Sequence, residues 1–366
     1  MTMLRPAWME VDLAAISYNV SLVRKRIGPD VRLFAVVKSH GFGCGPAQAA
    51  RAALAGGADS LAVGDPGDAQ EIREAGIDAP VLLYASTPPD VAAEVAALNV
   101  IVTIHDMESL RAFANQDTPV DAFMKAEVGL GRLGVLEEDW QTVFDTARAS
   151  NSLSLTGIYT HLNAPDDPEW IKNQVVVYER ACSAAQARGF ENLTRMVASS
   201  HVVLGYEALR FNAVNPGRFL FGLVEGKWAE IDIARPVMSS IKSRVIQTKE
   251  FAAGDVVGFL GPKPLSRPTR LAVLPIGFGD GFNHLAPLGE LLVEGQRVPI
   301  IGRRGIEHTV IDVTKVRAVK VGSEAVLLGS QGNESIAPDE LAGWLGLPVL
   351  ELLPRLARTL PKVYLE

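Results

Sequence analysis

Short apolar runs alternate with amphipathic stretches through roughly the first 220 residues of the chain. The runs are LFAVV (33–37), SLAVG (60–64), VLLYA (81–85), VIVTI (100–104), DAFMKAEV (121–128), LTGIYTH (155–161), RMVAS (195–199) and FNAVNPGRFLFGL (211–223). Each lacks an alternating polar face, as a strand covered on both sides in a parallel sheet requires. Between them lie Ala-rich helical stretches such as PAQAARAALAGG (46–57), DAQEIREAG (68–76) and DVAAEVAAL (90–98). Strand, helix, strand at this spacing is the βα repeat, and eight repeats predict a (β/α)8 TIM barrel. A doubly wound sheet is the alternative, but no glycine fingerprint follows the first strand. After about residue 230 the texture changes. VMSSIKSRVIQTKEF, DVVGFL, TRLAVLPIGFGDG, GELLVEGQRVPIIG, EHTVIDVTKVRAVKVG and EAVLLGS are apolar runs of alternating type split by turn residues. They predict a mainly β domain, with one short helix at PDELAGWLG (338–346). The expected division is a barrel over 1–228 and a β domain over 229–366.

Composition narrows the class without naming a function. The 366 residues are 48% hydrophobic and 21% charged, which suits a folded protein with sizeable cores. The net charge of −7 and the scattered basic residues argue against a nucleic-acid partner. Cys44 and Cys182 form neither a metal-ligand spacing nor a disulfide framework, so no metal is expected and a reducing cytoplasm is the expected compartment. The opening MTMLRPAWMEVDLAAI has no basic-then-apolar leader pattern, and no apolar run nears the ~20 residues that span a bilayer.

The candidate chemistry begins at AVVKSHGFGCG (35–45), where an apolar strand ends on Lys38. Functional groups of a parallel barrel stand at the C-terminal strand ends. A lysine at that rim loses hydration, its pKa falls from about 10.4, and the free amine attacks carbonyls. The glycines behind it would let backbone approach a ligand closely. A surface lysine closing a strand is the plain alternative.

The segment resembles the cofactor-lysine segment of alanine racemases, AVVKADAYGHG. FMKAEVGLGRLGV (123–135) is similar to that family's KxDTGMxRLG, GIYTHLN (157–163) to GxxTHFA and VNPGRFLFG (214–222) to VRPGIALYG. LPIGFGDGF (274–282) resembles LPIGYADGY, and GRRGIEHTVIDVT (302–314) resembles GRVCMDQTMVDVT. Order and spacing agree over nearly the whole chain. The resemblance implies an enzyme using pyridoxal 5′-phosphate (PLP), with Lys38 as Schiff-base lysine and catalytic base. It implies that Arg132 contacts the cofactor oxygen and the substrate carboxylate, that His161 stands beside the ring, and that Ser200, Gly217 and Arg218 serve the phosphate. Lys125 falls where many members carry a carbamylated lysine that orients the arginine. A homodimer is implied, the β domain of each chain completing the partner's site.

Several residues leave the family pattern. Phe278 stands where the family has the tyrosine that is its second catalytic base, and Phe42 and Cys44 replace a tyrosine and a histidine of the lysine segment. Leu350 aligns with a phosphate-binding tyrosine. Asn215 replaces an arginine facing the pyridine nitrogen, so that a neutral amide able to donate or accept stands there. Ile306, Glu307 and the following His308 replace residues at the family's substrate entrance. A one-base enzyme acting at the α-carbon of an amino acid is therefore expected rather than a true alanine racemase. The alternatives are a racemase of another amino acid whose second base is Cys44, His161, His201 or His308, an aldolase of β-hydroxy amino acids or a transaminase-type enzyme, and a PLP-binding protein without turnover.

Overall fold

The computed structural model describes residues 4–85, 87–224, 226–228, 230, 233–258, 263–283, 288–356 and 358–365. Phe259 and Leu260, which end the expected DVVGFL run, lie outside the described residues. The chain divides into one unit of residues 14–235 and another that joins 1–13 to 236–366. The boundary thus falls at 235/236 rather than at 228/229. The first residues also belong with the β domain, because strand β1 (Ala7–Asp12) pairs antiparallel with Met238–Arg244 and parallel with Lys362–Leu365. Both partners are distant in sequence, so no local pattern announces the pairing.

The 14–235 unit is the expected barrel. Its strands are β2 (Arg32–Val36), β3 (Ser60–Val63), β4 (Val81–Leu83), β5 (Val102–Ile104), β6 (Val120–Lys125), β7 (Leu153–Tyr159), β8 (Thr194–Ala198) and β9 (Ala213–Val214). All pair in parallel, in the order β4-β3-β2-β9-β8-β7-β6-β5. The ring closes between β4 and β5 through a Leu82–Ile101 bridge, Ile101 donating to Val81 O and Leu83 donating to Ile101 O, both at 2.8 Å. β3 and β4 are buried throughout, which accounts for runs with no polar face. Inside, Phe34 and Phe123 meet edge to face with centroids 5.8 Å apart. Gly157 makes room for this pair, since a Cβ there would lie 2.6 Å from the Phe123 ring. The helices begin at local signals. Asp65 caps Pro66–Glu74 by accepting from Gly67 N at 2.7 Å, and Asp106 with Ser109 forms a reciprocal cap on Met107–Ala114.

The other unit is mainly β, as expected. A seven-stranded sheet runs in the order Gln296–Pro299, Glu290–Val293, Glu324–Gln331, Met238–Arg244, β1, Lys362–Leu365, with Glu334–Ile336 beside Glu324–Gln331. Gln247–Phe251, Thr269–Leu274 and Thr309–Asp312 form a second, antiparallel sheet. The helix expected near 338–346 spans Pro338–Leu345, closed by Gly346 in the left-handed conformation. No described helix is long and apolar enough to cross a membrane.

Candidate active site

Lys38 lies one residue beyond the end of β2, after Val37, and is succeeded by a left-handed turn. Ser39 (φ 56°), His40 (φ 58°), Gly41 (φ 62°), Phe42 (φ 52°) and Gly43 (φ 86°) all have positive φ. That conformation costs roughly 1–2 kcal/mol for each residue bearing a Cβ, so Ser39, His40 and Phe42 need compensation. His40 N donates to the Asp68 carboxylate at 3.0 Å, Gly41 N to Val37 O at 3.0 Å, and the Phe42 ring stacks on Phe221 with centroids 4.4 Å apart. Gly41 faces the helix Pro46–Ala55, where its Cβ would be 3.1 Å from Ala49 Cβ. This glycine thus serves the turn and its packing, a different use from the ligand approach expected of it. The stem of Lys38 passes Gly64 at the end of β3, where an added Cβ would sit 3.5 Å from Lys38 Cβ. Its side chain is accessible at the strand end. Surrounding protein still removes enough water to lower its pKa, and Arg132 and Arg218 push it further the same way.

The loop after β6 is closed at its base. Glu127 N donates to Val135 O at 3.1 Å and Val135 N to Lys125 O at 2.8 Å. The Glu127 carboxylate accepts from Gly129 N at 2.6 Å and Gly131 N at 3.1 Å, so the loop carrying Arg132 is braced from inside. Gly134 (φ 141°) is needed where the two arms meet, because a Cβ would lie 2.7 Å from Glu127 N. Lys125 is buried, its Nζ donating to Leu133 O at 2.7 Å. Burial first, and Arg132 second, pull its pKa down to about 8, against the opposing pull of Glu127. His161, just beyond β7, is driven down to about 4, chiefly by burial and then by Lys38, Arg132, Lys125 and Arg218. The structure therefore brings Lys38, Lys125, Arg132, His161 and Arg218 into one electrostatic cluster. The charged groups acting on His161 are all cations, so the cluster is short of negative charge and suited to anions.

Beside it lies a small polar turn. Ser200 Oγ is buried and accepts from Gly217 N at 3.0 Å and Phe219 N at 3.2 Å. With its lone pairs engaged, the hydroxyl proton is what Ser200 can offer an anion. Gly217 N–H, expected to serve the phosphate directly, is thus already engaged. The Phe42 ring edge packs at Gly217, 3.4 Å from where a Cβ would stand, so this wall is apolar. Asn215 is buried next to Gly217's turn, and its Nδ2 donates to the Tyr84 hydroxyl at 2.8 Å. Asn215 Oδ1 has no hydrogen-bond partner among the described residues. Tyr84, just past β4, lies 5.6 Å from the Tyr159 ring, and Tyr159 shares a 3.1 Å hydrogen bond with Thr103 Oγ1. Burial raises both phenols far above their ordinary pKa, so both stay neutral.

In the β-domain unit, Phe278, Ile306 and Glu307 come together. Phe278 N donates to Gly305 O at 2.9 Å and Gly279 N to Ile306 O at 2.8 Å. Gly277 seals this contact, since a Cβ would be 2.3 Å from Gly305 O. The side chains face outward, with Phe278 37% and Ile306 63% exposed, Glu307 and His308 also exposed. Leu350 sits half-buried on the helix Val349–Leu356.

Two family models match, "Alanine racemase, N-terminal domain" over residues 11–225 and "Alanine racemase, C-terminal domain" over 238–364. The chain belongs to the alanine racemase family. It is 30% identical to the alanine racemase of Carboxydothermus hydrogenoformans over 370 residues, covering 99% of this chain and 100% of that one. With the alanine racemase of Desulfosudis oleivorans it shares 31% identity, covering 98% and 96%. The crystal structure of alanine racemase from Bacillus anthracis with bound L-Ala-P superposes with a TM-score of 0.90 at 27% identity, over 100% of this chain and 96% of that one. The histidine racemase of Leuconostoc mesenteroides has the same fold, with a TM-score of 0.87 at 23% identity, over 100% and 99%. The protein is a PLP-dependent enzyme of the amino-acid racemase class.

The residues present fit that cofactor. Its phosphate and phenolate are anions, and the cluster around His161 is cationic. Its aldehyde condenses with an amine, and Lys38 is an accessible amine of lowered pKa. Tyr84, Tyr159 and Thr103 were missed by reading the sequence. For the two tyrosines the signal was the one that exposed Lys38, a polar group at a barrel strand's C-terminal end, but a tyrosine after an apolar run also suits a core, and Thr103 lies inside β5 with no such signal.

Proposed function

We propose that this enzyme works at the α-carbon of an amino acid with Lys38 as its principal base, and that alanine racemisation is not its main reaction. The observation carrying this is Phe278, an exposed phenyl ring, at the place that by resemblance belongs to the family's second base. PLP, when bound, supplies the electron sink for the bond broken at the α-carbon. Lys38 would hold it and, once released, take the α-proton. Arg132 on its braced loop offers a planar fork to the substrate carboxylate. His161 stays neutral at physiological pH and lines the site as a hydrogen-bonding group. Ser200 and Arg218 would bind the phosphate, with Phe42 as the apolar wall. Phe278, Ile306 and Glu307 would shape the substrate entrance. Two of the other groups considered as a second base, Cys44 and His161, suit that task poorly. Cys44 is fully buried, and a His161 titrating near 4 is too weak a base.

Racemisation removes a proton on one face and delivers one on the other. Loss of one such partner costs about 10²–10⁴-fold, or roughly 3–5 kcal/mol in the barrier. The test is deuterium exchange into a panel of amino acids, read by NMR and chiral chromatography, for wild type and Phe278→Tyr. The expected wild type exchanges the α-proton of a substrate with retention and interconverts alanine enantiomers poorly, and Phe278→Tyr gains alanine racemisation. Rapid wild-type racemisation of alanine, unchanged in the variant, would overturn the proposal. Loss of substrate without exchange would point to cleavage or transamination, and no reaction with any amino acid to a binding protein.

A further inference from the structure

The loop that carries Arg132 is braced from inside by Glu127, and an indole packs against it from another side. Trp170 stands in the first turn of the helix Pro168–Gln186, which Asp167 caps by accepting from Trp170 N at 3.0 Å. The outer ring of the indole lies against Gly129, where an added Cβ would come within 3.2 Å of it. Gly129 N is one of the two donors to the Glu127 carboxylate. Arg132 follows three residues further on.

Trp170 is 37% exposed, and an exposed side chain left to itself changes rotamer within nanoseconds. This one is tethered. Its Nε1 donates to Asn163 Oδ1 at 3.0 Å, and the same oxygen accepts from Gln174 Nε2 at 2.6 Å. Asn163 N donates to Gln174 Oε1 at 3.2 Å. Gln174 and Tyr178 follow Trp170 at i+4 and i+8, on one face of the helix, and both are buried. Tyr178 Oη donates to Ile158 O at 2.8 Å and accepts from Met196 N at 2.9 Å. The helix that carries the indole is thus fixed to β7 and β8, and the indole itself to Asn163, two residues beyond His161. In GIYTHLN, Asn163 takes the last position of a motif whose family form, GxxTHFA, ends in alanine. An alanine there could not hold the ring.

We infer that Trp170, tethered by Asn163, is a positioning residue that holds the Arg132 loop in place for the substrate carboxylate. The inference rests on the reading of Arg132 as the group that binds this carboxylate. The loop needs such support, because Gly129 (φ 105°) and Gly131 (φ 68°) give its middle a conformational freedom that other residues lack. Packing by the indole supplies the stiffness that the two glycines do not.

The experiment takes the holoenzyme and two readouts. Hydrogen exchange of the peptide spanning 128–133, followed by mass spectrometry, reports the loop itself through the Gly129 and Gly131 amides. Titration with acetate, a carboxylate with no amine to react with the cofactor, reports Arg132. Trp170→Ala is expected to speed the exchange and to weaken acetate, each about tenfold. Asn163→Ala, which frees the indole without removing it, should move both readouts part of the way. In an Arg132→Lys background, Trp170→Ala should leave acetate binding where Arg132→Lys alone put it, because the indole acts through the arginine. Exchange unmoved in Trp170→Ala, or acetate weakened by the same factor whether or not Arg132 is present, overturns the inference. Acetate bound equally well by wild type and Arg132→Lys would instead take down the carboxylate reading of Arg132 on which it rests.

Discussion

Lys38 owes its reactivity to position. The side chain is reachable, yet desolvation and the neighbouring Arg132 and Arg218 all favour its neutral form. An amine with that bias condenses with an aldehyde at lower pH than an ordinary lysine. Protein purified with PLP should therefore be yellow, and borohydride should fix the cofactor on the Lys38 peptide, identified by mass spectrometry. Lys38→Ala should bind no colour and give no labelled peptide, whereas labelling at Lys125 instead would show that the wrong lysine has been assigned. A charged side chain at the end of an apolar run draws attention, although a surface lysine closing a strand would look the same. Lys38 was singled out in that way, whereas Arg132, His161 and Ser200 came to attention only through the family resemblance. The hydrogen bond between Asn215 and Tyr84 was not legible, because the two lie 131 residues apart.

At the scale of elements, the loop from Ala126 to Val135 shows how local chemistry builds a site. Its base is pinned by paired backbone hydrogen bonds and its interior by Glu127, and it carries Arg132. Lys125 is enclosed by the same loop with a pKa near 8. A large part of this amine is neutral at the upper end of physiological pH, and a neutral amine can add to CO2, forming an N–C bond and releasing a proton. The carbamate formed would place negative charge beside Arg132. With 13C-bicarbonate, wild type is expected to show a carbamate resonance that strengthens as pH rises through about 8 and vanishes on acidification, and Lys125→Arg should lack it. A wild-type spectrum identical to that of the variant would rule the modification out. The barrel strands and the helices beginning at Pro46, Pro66 and Pro338 were legible, since each has a strong local signal. The left-handed turn after Lys38 was not. Ser39 and His40 adopt it against their own preference, held by Asp68 from the next βα unit.

At the scale of the whole molecule, each unit presents half of something. The barrel unit exposes Lys38, Arg132 and Arg218, and the β-domain unit exposes Phe278, Ile306 and Glu307 on turns joined by backbone hydrogen bonds. Exposed Phe and Ile side chains clustered on one braced feature suit a contact surface. From the resemblance we propose that this surface meets the barrel mouth of a second copy. A two-fold dimer with shared sites makes a prediction that separate sites do not. Ile306→Arg changes a residue 63% exposed, so the fold should tolerate it. Seated over the partner's mouth, the added cation would face Lys38, Arg132 and Arg218 and should abolish that partner's activity by repulsion and bulk. Lys38→Ala removes the base from the chain's own barrel. Neither homodimer should turn over substrate. Co-refolding equal amounts makes about half the dimers mixed, each with one site built wholly from unaltered residues, so about a quarter of wild-type activity should return. Activity regained on mixing, with light scattering showing dimers throughout, is the expected result. Full activity in Ile306→Arg alone, or no recovery on mixing two well-folded variants, would mean that each chain completes its own site.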